Sequence, residues 1–220
     1  MTRVYVNCDL RALLGPVRDQ SDRNTCAAFA ASDGHAAVRG EKRELSVEYA
    51  HYYALGRQGS NHPDDGVELT VMAETIEHNG QPYEENWPYS AIPPADFDSW
   101  SPPSDPGPIF RRASDHGSTV ADVFRWLDEG RPVVLGVLIS DVFLELSKDE
   151  VIDEVPNDQQ VGGHAVLAVG HGRAGSEAAI LIRNSWGSNW RVDGHAWLTE
   201  RYLVSRLLGT AAMVLKEYHG

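Results

Sequence analysis

Eight of the twelve prolines in this 220-residue chain fall between Pro82 and Pro108, and that crowding constrains the fold more than any other feature. Proline lacks the amide hydrogen that helix and sheet ladders need and clashes with the turn before it. The stretch is therefore neither a regular helix nor a central strand. It predicts an irregular crossover between two halves of different texture.

The first half reads as helical. After a loop-like N-terminus with a short apolar strand at Val4 to Val6, Thr25 to Val38 is alanine-rich, free of proline and preceded by the capping types Asp22, Asn24 and Thr25. Leu45-Ser46 opens a second helix, in which Tyr49, Tyr52 and Tyr53 are expected to pack in the core. Gly56 to Gly66 is a loop by composition. Leu69, Met72, Ala73 and Ile76 then recur at helical spacing until Asn79-Gly80.

Past the crossover, Thr119 to Glu129 carries one more helical face. Short apolar runs follow at Val133–Ile139, Ala165–Val169, Ala178–Ile182, His195–Leu198 and Ala211–Leu215, as in a sheet or barrel. The fold class expected is α+β, with a helical half and a β-rich half facing each other across a cleft. A chain of this length buries about 70% of its unfolded surface.

Nineteen Lys and Arg stand against 32 Asp and Glu, a net charge of −13, which argues against nucleic acid or anionic membranes as partners. Cys8 and Cys26 are the only cysteines, too few for a disulfide framework or a cysteine-based zinc site. The nine histidines show no ligand spacing, so neither metal nor cofactor is expected. The N-terminus has no apolar run of secretory type, and no segment reaches transmembrane length. A reducing, cytoplasmic location is the expectation, with export by a specialised route as the alternative.

Cys26 falls in the first turn of the predicted alanine-rich helix, where unpaired N–H groups and the helix dipole favour a thiolate. Gln20, in the turn before, can bring a side-chain amide over that sulfur and form a two-donor oxyanion hole with the Cys26 N–H. The competing reading is a small buried thiol and a surface amide. His164 follows Gly162-Gly163 at the expected start of a strand. Asn184 ends another, ahead of Ser185-Trp186-Gly187. Facing Cys26, His164 would pair with the thiolate and then protonate a leaving amine. Asn184 would orient the ring through its other nitrogen, and Trp186 would shield that bond.

These segments resemble the papain-like cysteine proteases over nearly the whole chain. Pro16-Val17-Arg18-Asp19-Gln20 is similar to the family's PVKNQ, and Cys26-Ala27-Ala28-Phe29 stands where it has CWAF. Leu45-Ser46, Asn79-Gly80 and Trp87-Pro88-Tyr89 echo its LS, NGG and YPY blocks. Gly163 to Gly170 and Arg183 to Gly187 resemble its HAV and KNSWG blocks. The resemblance implies Cys26 as nucleophile, His164 as general acid/base, Asn184 as orienting residue and Gln20 as oxyanion donor. His164 follows Cys26 by 138 residues, within the family's interval of about 130–150, and Asn184 follows by 158, just outside it. It also implies a two-domain fold, residues 9–108 carrying the nucleophile and 109–220 the His and Asn, with the active site in the cleft between a helical and a β-barrel-like half.

Departures from the pattern set further expectations. A disulfide cysteine of the family is Arg23 here, its next residue Asn24, and the tryptophan after the nucleophile Ala27. Arg23 either adds positive potential near the thiolate or faces solvent, and solvent is the expectation. The family's paired glycines, which dock substrate backbone, appear as Asp65-Gly66, expected with Gly163 and Trp186 to bind substrate. Met1 lies near where mature enzymes begin, so either the sequence is the mature part of a longer protein or no propeptide exists and control falls to a protein regulator. An acidic run, Asp149 to Glu154, leads toward His164 and either favours basic substrates or is a solvated loop. The functions implied are a cysteine endopeptidase acting on protein or peptide substrates; an acyl transferase or isopeptidase on the same residues; or a non-catalytic binding protein of that fold.

Overall fold

The computed structural model describes residues 2–145, 147 and 149–215. Its axis is helix α1 (Cys26–Arg39), whose alanines serve close packing: Ala27, Ala28, Ala30, Ala31 and Ala37 are buried. A Cβ added at Gly34 would lie only 3.2 Å from Leu167 of the sheet, so the helix has little room for larger side chains there. Helix α2 (Val47–Gln58) begins at the Ser46 cap, whose hydroxyl accepts from the Tyr49 N–H at 3.1 Å. Helix α3 (Leu69–His78) ends where Gly80 takes a φ of 71°, and any Cβ there would meet the Phe110 carbonyl at 2.4 Å. Helix α4 (Val120–Asp128) opens with a capping box between Thr119 and Asp122.

Among the described residues, eight strands form one sheet. They are β1 (Val4–Asp9), β2 (Ser114–Gly117), β3 (Val133–Ser140), β4 (Val151–Ile152), β5 (Gln160–Ala174), β6 (Glu177–Arg183), β7 (His195–Thr199) and β8 (Leu207–Met213). Their order is β2-β8-β3-β5-β6-β7-β4, with β1 also paired to β5, and only the β4–β7 pair is parallel. Short helices α5 (Asp141–Leu144) and α6 (Glu200–Val204) follow β3 and β7.

The sheet is buried on both faces, which explains why β3 reads as an unbroken apolar run. Val134, Ala165, Leu167 and Val169 pack with α1, α2 and α3, whereas Val133, Leu135, Val137, Val166 and Ala168 pack with α4 and α6. The fold class is thus mixed α+β, as expected, and one of its cores joins residues from both sides of the crossover.

Six elements depart from expectation. Strands β2 and β4 and helices α5 and α6 carried no strong sequence signal; β2 is four mostly polar residues held by β8, and β4 is two residues held by β7. Strand β8 starts at Leu207, ahead of the apolar run. Strand β5 is fifteen residues long, so His164 lies inside it rather than at its start. Gly162 and Gly163, poor strand formers alone, are carried by pairing with Ile139 and Leu138. The proline-rich stretch holds a single 3-10 turn at Glu84–Asn86 but is well anchored: Trp100 is buried, 5.1 Å from the Tyr52 ring and 5.9 Å from that of Trp87. No helix among the described residues is long and apolar enough to cross a membrane.

Candidate active site

Cys26 at the head of α1 and His164 on β5 line one cleft of about 670 Å³. Its walls are largely apolar, with Val67, Leu69, Ala165 and Leu208, and its floor includes Gly136 of β3. Burial pushes the Cys26 thiol above its ordinary pKa, while the backbone N–H groups of Ala165, Ala27 and Cys26 draw it partly back. The expected helix-terminus stabilisation is present, and desolvation outweighs it.

His164 sits in an aromatic box. Its ring lies 4.7 Å from Trp186 and 5.9 Å from Phe143, and Trp190 closes the far side against both of those residues. Burial there pulls the imidazole down to about 4, opposed by a hydrogen bond to Asn184. That bond is 2.8 Å, from Nε2 of His164 to Oδ1 of Asn184. The backbone N–H of Ser185 also donates to the same Oδ1 at 2.8 Å. An N–H can only donate, so this atom is the amide oxygen and His164 carries its proton on Nε2. Nδ1 is left as the basic nitrogen.

Gln20 is buried, and its side chain is held at both ends. Oε1 accepts from the Ser185 hydroxyl at 2.6 Å, and Nε2 donates to the Arg23 carbonyl at 2.7 Å, leaving one amide N–H uncommitted. Its backbone carbonyl accepts from the Tyr89 hydroxyl at 2.7 Å. Arg23 does not face solvent, contrary to expectation. Its guanidinium is buried against Glu48 and donates to the Ser90 carbonyl at 2.6 Å, because segments distant in sequence close over it.

The remaining expected residues divide. Gly66 and Gly163 line the cleft, although the Gly66 carbonyl already accepts from Gln58 at 2.9 Å. Asp65 accepts from the His62 N–H at 3.3 Å and is not part of the cleft wall; Trp186 packs on His164 behind it. The acidic run is also outside the cleft wall. Asp153 pairs with Arg201 and Glu154 with Arg206, while Asp149 and Glu150 are exposed and line a separate cavity of about 520 Å³. Sequence reasoning missed Ser185 as a partner of Gln20. It also missed Asp33 of α1, which binds Arg18 at 2.6 Å and Arg183 at 2.7 Å and so ties the helix that carries Cys26 to the segments bearing Gln20 and Asn184.

The sequence model of the papain family cysteine proteases matches residues 6–209, nearly the whole described chain. The chain belongs to that family. Among papain-family relatives it is similar to an uncharacterized peptidase C1-like protein of Acanthamoeba polyphaga mimivirus, 23% identical over 90% of this chain and 69% of that protein. It is also similar to a cysteine protease of Blomia tropicalis, 24% identical over 86% of this chain, and spans 58% of that protein's length. Xylellain, a cysteine protease from Xylella fastidiosa, shares the fold with a TM-score of 0.75 at 22% identity, over 96% of this chain and 86% of its own. Digestive procathepsin L 3 of Tenebrio molitor shares it with a TM-score of 0.73 at 16% identity, over 96% and 71%.

Proposed function

We propose that the protein is a cysteine endopeptidase that cleaves peptide bonds through a thioester on Cys26. The observation that carries this reading is the fixed tautomer of His164, held by Asn184 and bordering the same cleft as Cys26. Burial disfavours the Cys26 thiolate and the His164 imidazolium each taken singly. As substrate carbonyl carbon approaches, the thiol proton passes to Nδ1 of His164 and sulfur forms the new C–S bond. The oxyanion is received by the Cys26 N–H and the uncommitted N–H of Gln20. Collapse breaks the C–N bond, the amine takes the proton from His164, and water then hydrolyses the thioester with His164 as base.

The apolar walls favour substrates that place an aliphatic or aromatic side chain beside Val67, Leu69 and Leu208. The test is turnover of a fluorogenic peptide series with product masses read in the presence of an added amine. Free carboxylate products support the endopeptidase. Products carrying the amine in place of water identify an acyl transferase, and uncleaved peptide with folded protein contradicts catalysis.

A further inference from the structure

The geometry points to Arg23 as the positioning residue for the oxyanion amide, with Glu48 as its anchor. This rests on the reading of Gln20 as an oxyanion donor. The Arg23 side chain is fully shielded from solvent and that of Glu48 is 2% exposed, in a chain where most charged groups remain in contact with water. The guanidinium binds Glu48 Oε1 and, at 3.4 Å, Oε2. It donates to the Ser90 carbonyl and lies between the rings of Tyr89 and Trp100, 4.9 and 5.8 Å from their centroids. Glu48 is fixed in turn: Oε1 accepts from the Ser90 N–H at 2.9 Å and Oε2 from the Trp100 indole at 3.0 Å.

What this buried pair holds is the Arg23 backbone, and the Arg23 carbonyl is the acceptor that fixes one N–H of Gln20. An amide has two N–H groups at a fixed angle, so anchoring one aims the other. Tyr89, which stacks on Arg23, also donates to the Gln20 carbonyl and lies 2.9 Å from the Thr25 hydroxyl, beside Cys26. The proline-rich stretch, through Ser90 and Trp100, thereby reaches the reaction centre without touching it. Arg23 occupies the place of a family disulfide cysteine. A charge clamp there needs no oxidant, and the active-site loop keeps its shape in strong reductant.

An oxyanion donor acts on tetrahedral chemistry and not on simple alkylation of sulfur, and that difference supplies the test. Peptide turnover and the rate of Cys26 alkylation by iodoacetamide are measured for wild type, Arg23→Met, Arg23→Lys and the pair Arg23→Met/Glu48→Met. The double variant removes both charges and so, unlike the single variant, leaves no buried carboxylate unpaired, and circular dichroism checks the fold of each before kinetics. The expected result is a kcat lower by about 10- to 100-fold in the Met variants, with KM and alkylation rate within about twofold of wild type and partial recovery in Arg23→Lys. In a Gln20→Ala background, adding Arg23→Met/Glu48→Met lowers kcat by less than about twofold, because the donor it aims is gone. Parallel loss of turnover and alkylation, wild-type kcat in the double variant, or full additivity with Gln20→Ala overturns the clamp alone. Wild-type protein that alkylates at Cys26 yet turns over no peptide overturns the hydrolytic reading, and the clamp with it.

Discussion

His164 donates its Nε2–H to Asn184 Oδ1 at 2.8 Å, and the Ser185 N–H, donating to the same oxygen, leaves that proton only one place to be. The arrangement sets both the tautomer and the direction in which the ring's pKa responds to mutation. Burial holds it down to about 4, and the bond to Asn184 works upward against that. In the proposed mechanism His164 acts as a base and must be neutral, so activity is lost as pH falls through that value. Asn184→Ala removes the upward contribution. The acid limb of kcat/KM moves to lower pH, and the plateau falls about tenfold through lost orientation. A limb that moves to higher pH contradicts this account of the site.

Breaking the buried pair from one side costs stability whatever its effect on catalysis. Arg23→Ala strands the Glu48 carboxylate among Trp100, Tyr89 and backbone, and unfolding in urea registers a loss of about 3–5 kcal/mol. Arg43→Ala, at an exposed pair with Glu85, leaves the urea unfolding midpoint essentially unchanged.

Acid sensitivity has its own source in the helical half. His35 is buried, hydrogen-bonded to Gln81 at 3.1 Å, and held down to about 3; His51 is likewise held at about 3. Each folded-state value lies below the ordinary one, so the unfolded chain binds more protons between them. Stability is full above about pH 6.5 and declines as pH falls toward 3. His35→Gln removes one proton from that linkage, flattening the slope by about 1.4 kcal/mol per pH unit between pH 4 and 6 in a urea series.

Substrate choice is expected to turn on Gly136. A Cβ there meets Leu208 Cβ at 3.6 Å and Leu69 Cδ2 at 3.8 Å, ordinary contacts, while the larger Val projects into the cleft. Gly136→Val lowers kcat/KM about tenfold for a peptide presenting Leu and less than about twofold for one presenting Ala, read from steady-state kinetics on the two peptides.

Local chemistry was the legible part of this protein. The proline-free, alanine-rich run of α1, the α3 periodicity ending at Gly80 and the apolar runs of β3 and β6 each write their structure within ten or so residues, whereas Thr25 makes no side-chain cap and bonds the Tyr89 hydroxyl instead. Burial of Arg23 is illegible locally because its partners lie 25 residues on at Glu48 and 67 on at Ser90, and nothing near it in sequence announces burial. The same holds for Asp33, whose partner Arg183 is 150 residues away. Glycines ordinarily break strands, which in sequence sets His164 at a strand start; the β3 ladder overrides that preference. The thiol's raised pKa likewise depends on desolvation by walls drawn from β3, β5 and β8, which no motif around Cys26 encodes.

The central claim is that Cys26 is a nucleophile activated by His164. Intact-protein mass after exposure to a slight excess of an epoxide inhibitor of papain-family enzymes at pH 6.5 tests it most directly, comparing wild type with Cys26→Ala, Cys8→Ala and His164→Ala. One label per chain, kept in Cys8→Ala and lost in the other two variants, is the predicted result. Folded wild-type protein that stays unlabelled, or label that persists in His164→Ala, would contradict it.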